Sequence, residues 1–127
     1  VAKKSAIPVR ATKELPGPKA KDVVRRDSAV LSPYNRPFYY PMVADSAEGC
    51  IVRDSDGNEF LDLNSGLGVM NVGHSHPKVV EAITKQVNKL IHYSYTDFYY
   101  PYAVDLAEKL ITLTPGKFSK KVFFSGS

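Results

Sequence analysis

The feature that most constrains this chain is a change of hydrophobic period at "GHSHP", residues 73–77. Before it, from Phe38 onward, apolar residues come in short runs broken by turn formers, as in "YYPMVADSAEGCIVRDSDGNEFLDLNSG". After it, Val79, Val80, Ile83, Val87, Leu90 and Ile91 fall on one face of a 3.6-residue helix. A short period giving way to a helical one predicts a small antiparallel meander over 38–64 and a helix over 77–91. "DSDGN", Asp54–Asn58, supplies a glycine where positive φ is needed and joins "CIVR" to "EFLDL". Pro77 suits the first helical turn, because its missing N–H is one that a helix start leaves unpaired anyway. A second helix is expected over 101–113, with Ala103, Leu106, Ala107 and Leu110 inward and "TPG" ending it. "KKVFF", Lys120–Phe124, reads as a strand, and a short polar helix is expected over Lys19–Ser28.

A strand followed by small residues, here "SGS", is how an α/β unit opens a phosphate-binding loop, with the next helix facing the anion. An apolar strand without neighbours would leave its hydrogen-bonding edges open. The expectation is therefore the front portion of a larger α/β protein. A chain of 127 residues is itself long enough for one core and too short for two.

The net charge of +4 conceals an asymmetry: residues 1–36 hold nine Lys/Arg against three Asp/Glu, and the rest hold eight against ten. The basic excess sits in an N-terminal arm. Clustered cations can release phosphate counterions, but "LPGPK", Asp22 and Asp27 interrupt this cluster, and it lacks interleaved aromatics. A solvated or subunit-wrapping arm is the better reading, and nucleic acid is not the expected partner. No apolar run approaches the roughly 20 residues of a membrane span. One cysteine, Cys50, cannot make an internal disulfide, which favours a reducing compartment.

His74 and His76 raise the question of a metal or a catalytic base. His92 is the only other histidine, so no zinc spacing exists, and local spacing supplies no partner carboxylate. A sharp helix entry explains both: Gly73 permits an unusual backbone angle, Ser75 or His76 caps, and Pro77 opens the turn. "SGLGVMN" lacks the dinucleotide fingerprint. Glycines flanking Leu67 would let backbone approach a ligand or a subunit, and ordinary loop bending accounts for them equally well. "HYSYTDFYYPY", His92–Tyr102, holds five tyrosines and a phenylalanine. It suits a packing seam, an interface or the lining of a planar-ligand site.

"GNEFLDLNSGLGVMNVGHSHPKVVEAITKQVNKLIH" followed by "PYAVDLAEKLITLTPGKFSKKVFFSGS" resembles the front of the class III pyridoxal-phosphate aminotransferases. These are the ω-amino-acid transaminases, including acetylornithine, ornithine and 4-aminobutyrate aminotransferases. The resemblance covers residues 38–127. It implies an α/β fold of fold-type I and a homodimer with active sites at the subunit interface; the cytoplasm is the compartment expected from the lone cysteine. Residues 1–36 would be the arm, 37–75 the small-domain meander and glycine-rich loop, and 76–127 the start of the large cofactor-binding domain. The implied reaction moves an amino group from an amino acid or ω-amine to a 2-oxo acid through pyridoxal 5'-phosphate. A racemase or aminomutase of the same fold is the alternative, and a non-catalytic assembly or nucleic-acid-binding fragment the second. Leu67, Gly68 and Phe98, with Tyr99 beside it, are implied on the substrate side. Ser127, with Ser125, is implied at the leading edge of the phosphate loop. No lysine matches the Schiff-base motif, so no catalytic residue and no metal ligand are assigned, and the segment alone is expected to be inactive.

Overall fold

The computed structural model describes residues 14–32 and 40–126; the remainder of the basic arm lies outside the described residues. Helix α1 (Pro18–Val30) matches the expected polar helix and extends it by a residue or two at each end. Pro18 occupies its first turn, and Gly17 at the N-cap has no side chain to offer the open N–H groups. A distant carboxylate does so instead: Asp56 accepts from the Lys19 and Ala20 N–H groups at 2.8 and 2.9 Å. Gly17 is what lets it approach, since a Cβ there would lie 2.4 Å from Asp56 Cγ. Ala20, 1% exposed, is the buried hydrophobic side chain among the described residues.

The meander forms as expected. Strands β1 (Ala44–Glu48), β2 (Ile51–Asp54) and β3 (Glu59–Leu61) make one antiparallel sheet in the order β1-β2-β3. Glu48 pairs with Ile51 across a two-residue turn whose Gly49 has φ +55°. Arg53 pairs with Glu59, and their side chains form a 2.8 Å cross-strand ion pair. Between β2 and β3, Gly57 takes φ +87°. The buried Asp54 carboxylate accepts from the Asp56 and Asn58 N–H groups and from the Asn58 amide. Burial is the largest single influence on Asp54 and pushes its pKa upward. The hydrogen bonds from Asn58, Asp56 and Gly57 together outweigh it and hold the carboxyl below its ordinary value.

Helix α3 (Pro77–Val87) starts where expected but stops short of 91. The Lys89 and Leu90 N–H groups both return to the Gln86 carbonyl, and the Gln86 amide takes the Leu90 carbonyl, closing the end. Helix α4 (Pro101–Leu113) has the expected bounds. The Lys120 ammonium reaches the carbonyls of Ile111 and Thr114, placing a cation at the negative end of α4. No strand forms at Lys120–Phe124, which corrects the expectation: a strand exists through its ladder, and no described segment pairs with this one.

The described residues fall into two compact units, one ending at Thr84 and the other starting at Lys85. Neither α3 nor α4 buries a residue. Ala103 and Ala107 are half-buried, whereas Leu106 and Leu110, expected inward, are exposed, as are Val79, Ile83 and Val87.

Candidate functional site

The glycine-rich stretch folds into one left-handed helical turn, Ser65–Gly68 (α2), with φ of +50°, +59°, +63° and +78° along it. Left-handed helix is open to Gly66 and Gly68, but costs Ser65 and Leu67 about 1–2 kcal/mol each. Gly68 and Val69 close the turn by donating to the Asn64 and Ser65 carbonyls at 3.0 and 2.8 Å. The turn holds Leu67 outward, 87% exposed. Leu67 lines an apolar groove of about 800 Å³ together with Tyr40, Met42 and Phe60, and with Asp62 and Asn64 as polar members. A groove of that kind binds an apolar body and orients it with a few polar groups.

Asp62, just past β3, organises the approach to this turn. One carboxylate oxygen accepts from the Asn64 and Ser65 N–H groups at 2.7 and 2.9 Å. The other lies 2.5 Å from His74 Nε2. Both side chains are largely enclosed, 11% and 20% exposed. The His74 hydrogen bond, then that of Asn64, holds the Asp62 carboxyl below its ordinary range. Local spacing could not show this partner, because the pair is made across the loop. The legible half of the signal was an aspartate two positions before Asn64, in "DLNSG", a residue type that bonds backbone two positions ahead.

His74 is also fixed through its backbone, exchanging both hydrogen bonds with Gly49 at 2.8 and 2.9 Å. Gly73 has φ +90°, and a Cβ there would meet Gly49 Cα at 3.2 Å, so the glycine serves both conformation and close approach. Ser75 donates to the Ala47 carbonyl at 2.9 Å and is thereby committed to the hairpin rather than to the helix cap expected of it. The His76 carbonyl accepts from Val79 and Val80, so His76 does stand at the helix entry. Its side chain does not cap: Nδ1 is buried without a partner. Among the described residues no three His, Cys, Asp or Glu side chains converge as metal ligands.

In the second unit the aromatic run packs locally. Tyr93 and Phe98 lie 4.6 Å apart between centroids, and Tyr100 and Tyr102 5.5 Å apart. Gln86 donates to the Tyr100 hydroxyl at 3.0 Å, and the Lys89 ammonium lies over the Tyr102 ring. Phe98 is half exposed and Tyr99 fully so. Ser125 and Gly126 are exposed in irregular backbone, and Ser127 lies outside the described residues. Among the described lysines, Lys120 is half-buried and engaged at the end of α4.

Residues 33–127 match the class-III aminotransferase family. The chain is 38% identical over 109 residues to the isoleucine 2-epimerase of Lentilactobacillus buchneri, covering 86% of this chain and 24% of that protein. It is 45% identical over 85 residues to a probable 4-aminobutyrate aminotransferase of Bacillus subtilis, covering 67% and 20%. Its fold matches the acetylornithine aminotransferase of Elizabethkingia anophelis with a TM-score of 0.64 and 31% identity, over 74% of this chain and 23% of that one. The chain thus spans a fifth to a quarter of the length of the curated relatives it matches. With three quarters of its residues inside the family match, the chain belongs to the class-III aminotransferases.

Proposed function

We propose that this chain is the N-terminal segment of an enzyme that moves an amino group from an amino acid or ω-amine to a 2-oxo acid. The family match across residues 33–127 carries the reading. Pyridoxal phosphate, when bound, supplies the electron sink for the reaction. This segment's own part is to shape the substrate: Leu67, held outward on its left-handed turn, offers an apolar wall to the groove beside Asn64. Gly68, with open space around it, leaves room on the same turn. Phe98 is assigned to the substrate side on the resemblance. The working protein is a cytoplasmic homodimer in this reading.

A second reading is racemisation or epimerisation, favoured by the similarity to an isoleucine 2-epimerase. The test is to purify the full-length protein and offer 4-aminobutyrate, ornithine and acetylornithine with a 2-oxo acid, and separately L-isoleucine alone. Transfer of the amino group to the 2-oxo acid supports the first reading. Inversion at an amino-acid carbon without a 2-oxo acid overturns it in favour of the second. Residues 1–127 expressed alone should show neither activity nor cofactor absorbance.

A further inference from the structure

We infer that Asp62 and His74 are positioning residues: together they clamp the loop 63–73 so that its strained left-handed turn stays formed and Leu67 faces the groove. The second half of this inference rests on the aminotransferase reading. Three observations carry it. The loop leaves β3 at Asp62 and returns at His74, and these two residues are joined side chain to side chain at 2.5 Å. His74 is held in turn by its double backbone bridge to Gly49, so the clamp is anchored on the β1–β2 hairpin rather than floating with the loop. Asp62 divides its two oxygens, one for His74 and one for the N–H groups of Asn64 and Ser65, which lead into the turn. Without the His74 bond the carboxylate is free to rotate away from those N–H groups. The left-handed backbone at Ser65 and Leu67 then loses its constraint. Neither side chain needs to touch a substrate for this role.

The experiment uses the full-length protein with His74→Phe, which keeps a flat ring and removes the donor, and His74→Gln, which returns an N–H donor at similar reach. Two quantities are measured: hydrogen exchange of residues 63–73 against that of the hairpin 44–54, and the ratio of kcat/KM for two amino donors differing by one methylene. His74→Phe should speed exchange in 63–73 by about tenfold while leaving the hairpin unchanged. It should also move the donor ratio by about three- to tenfold, within what shape discrimination of a methylene allows. His74→Gln should restore most of both. A His74→Phe protein with wild-type exchange in the loop overturns the clamp. A loosened loop with an unchanged donor ratio overturns the link to Leu67 and substrate choice. A wild-type protein without amino transfer sinks the functional reading, whereas the exchange comparison still decides whether the pair holds the loop. A hairpin that loosens with the loop marks His74 as a general fold residue and likewise overturns the inference.

Discussion

The contact between Asp56 and the start of α1 gives the most direct test of how this segment is held. Asp56→Ala removes the acceptor for two helix-start N–H groups, at 2.8 and 2.9 Å. Losing an N-cap acceptor costs about 1 kcal/mol, within a range of roughly 0.5–2. Withdrawing a negative charge from the positive end of the helix adds about 0.3–1 kcal/mol. The sum, about 1.3–2 kcal/mol, falls on α1 rather than on the sheet. Hydrogen exchange of residues 18–30 in the full-length protein should then rise about 8- to 27-fold, since 1.4 kcal/mol is about tenfold. Gly17→Ala should produce nearly the same effect from the opposite side. Its new Cβ would sit 2.4 Å from Asp56 Cγ and 2.7 Å from an Asp56 carboxylate oxygen, so the carboxylate must leave its seat. The double variant should therefore cost little more than either single one, because each already abolishes the same contact. Full additivity of the two changes, or exchange in α1 within twofold of wild type for Asp56→Ala, would refute the capping account.

Gly73→Val should cost about 2–4 kcal/mol, combining a left-handed backbone angle with a clash against Gly49, and should lower the melting temperature clearly. His76→Asn should stay within about 1 kcal/mol of wild type in the same melt, because His76 Nδ1 makes no hydrogen bond to lose. Leu67→Ala should change the preference among amino donors by up to about 1–3 kcal/mol while cofactor absorbance persists; loss of that absorbance would show the residue misplaced. For Asp54, whose pKa is lowered in the folded chain, the unfolded state binds the proton more readily. Its contribution is thus complete above the unfolded value near 3.9 and fades as pH falls through the lower folded value. Asp54→Asn compared with wild type by denaturant midpoint should show a gap that narrows below about pH 4; a gap constant from pH 7 to 3 would refute the assignment.

What the sequence made legible was local. The Asp54–Asn58 turn, the Pro77 and Pro101 helix starts and the bounds of α4 each depend on residues within a few positions of one another. The same locality explains the misses. Nothing in "PGPKA" announces that its cap arrives from Asp56, 36 residues away from Ala20. Nothing beside His74 announces Asp62, twelve residues earlier. The strand expected at 120–124 failed for a related reason: β-propensity describes a surface ready to pair, and pairing needs a neighbour. The glycines around Leu67 suggested close backbone approach or ordinary loop bending, and composition could not foretell that Ser65 and Leu67 would take left-handed angles beside them.

Three aspartates between residues 54 and 62 together show how the first unit is built. Asp54 closes the β2–β3 turn, Asp56 caps α1, and Asp62 ties the Leu67 loop to His74. Each uses its carboxylate on backbone N–H groups, bonds that are directional and short in reach. Among the described residues, Ala20 by itself cannot supply the apolar burial that usually orders a domain of this length. Polar ties of this kind fix turns and loop paths without consuming the larger apolar side chains. Those side chains consequently stand outward: Val79, Ile83 and Val87 on α3, Leu106 and Leu110 on α4, and Leu67 on its turn. Exposure on that scale has a solvation cost that an isolated soluble chain does not sustain without association. In the proposed aminotransferase reading that cost would be removed by whatever part of the enzyme covers the α3 and α4 faces, and by the substrate at Leu67. The arrangement thus separates two tasks, local carboxylate bonds setting the geometry and outward apolar residues left for whatever packs against them.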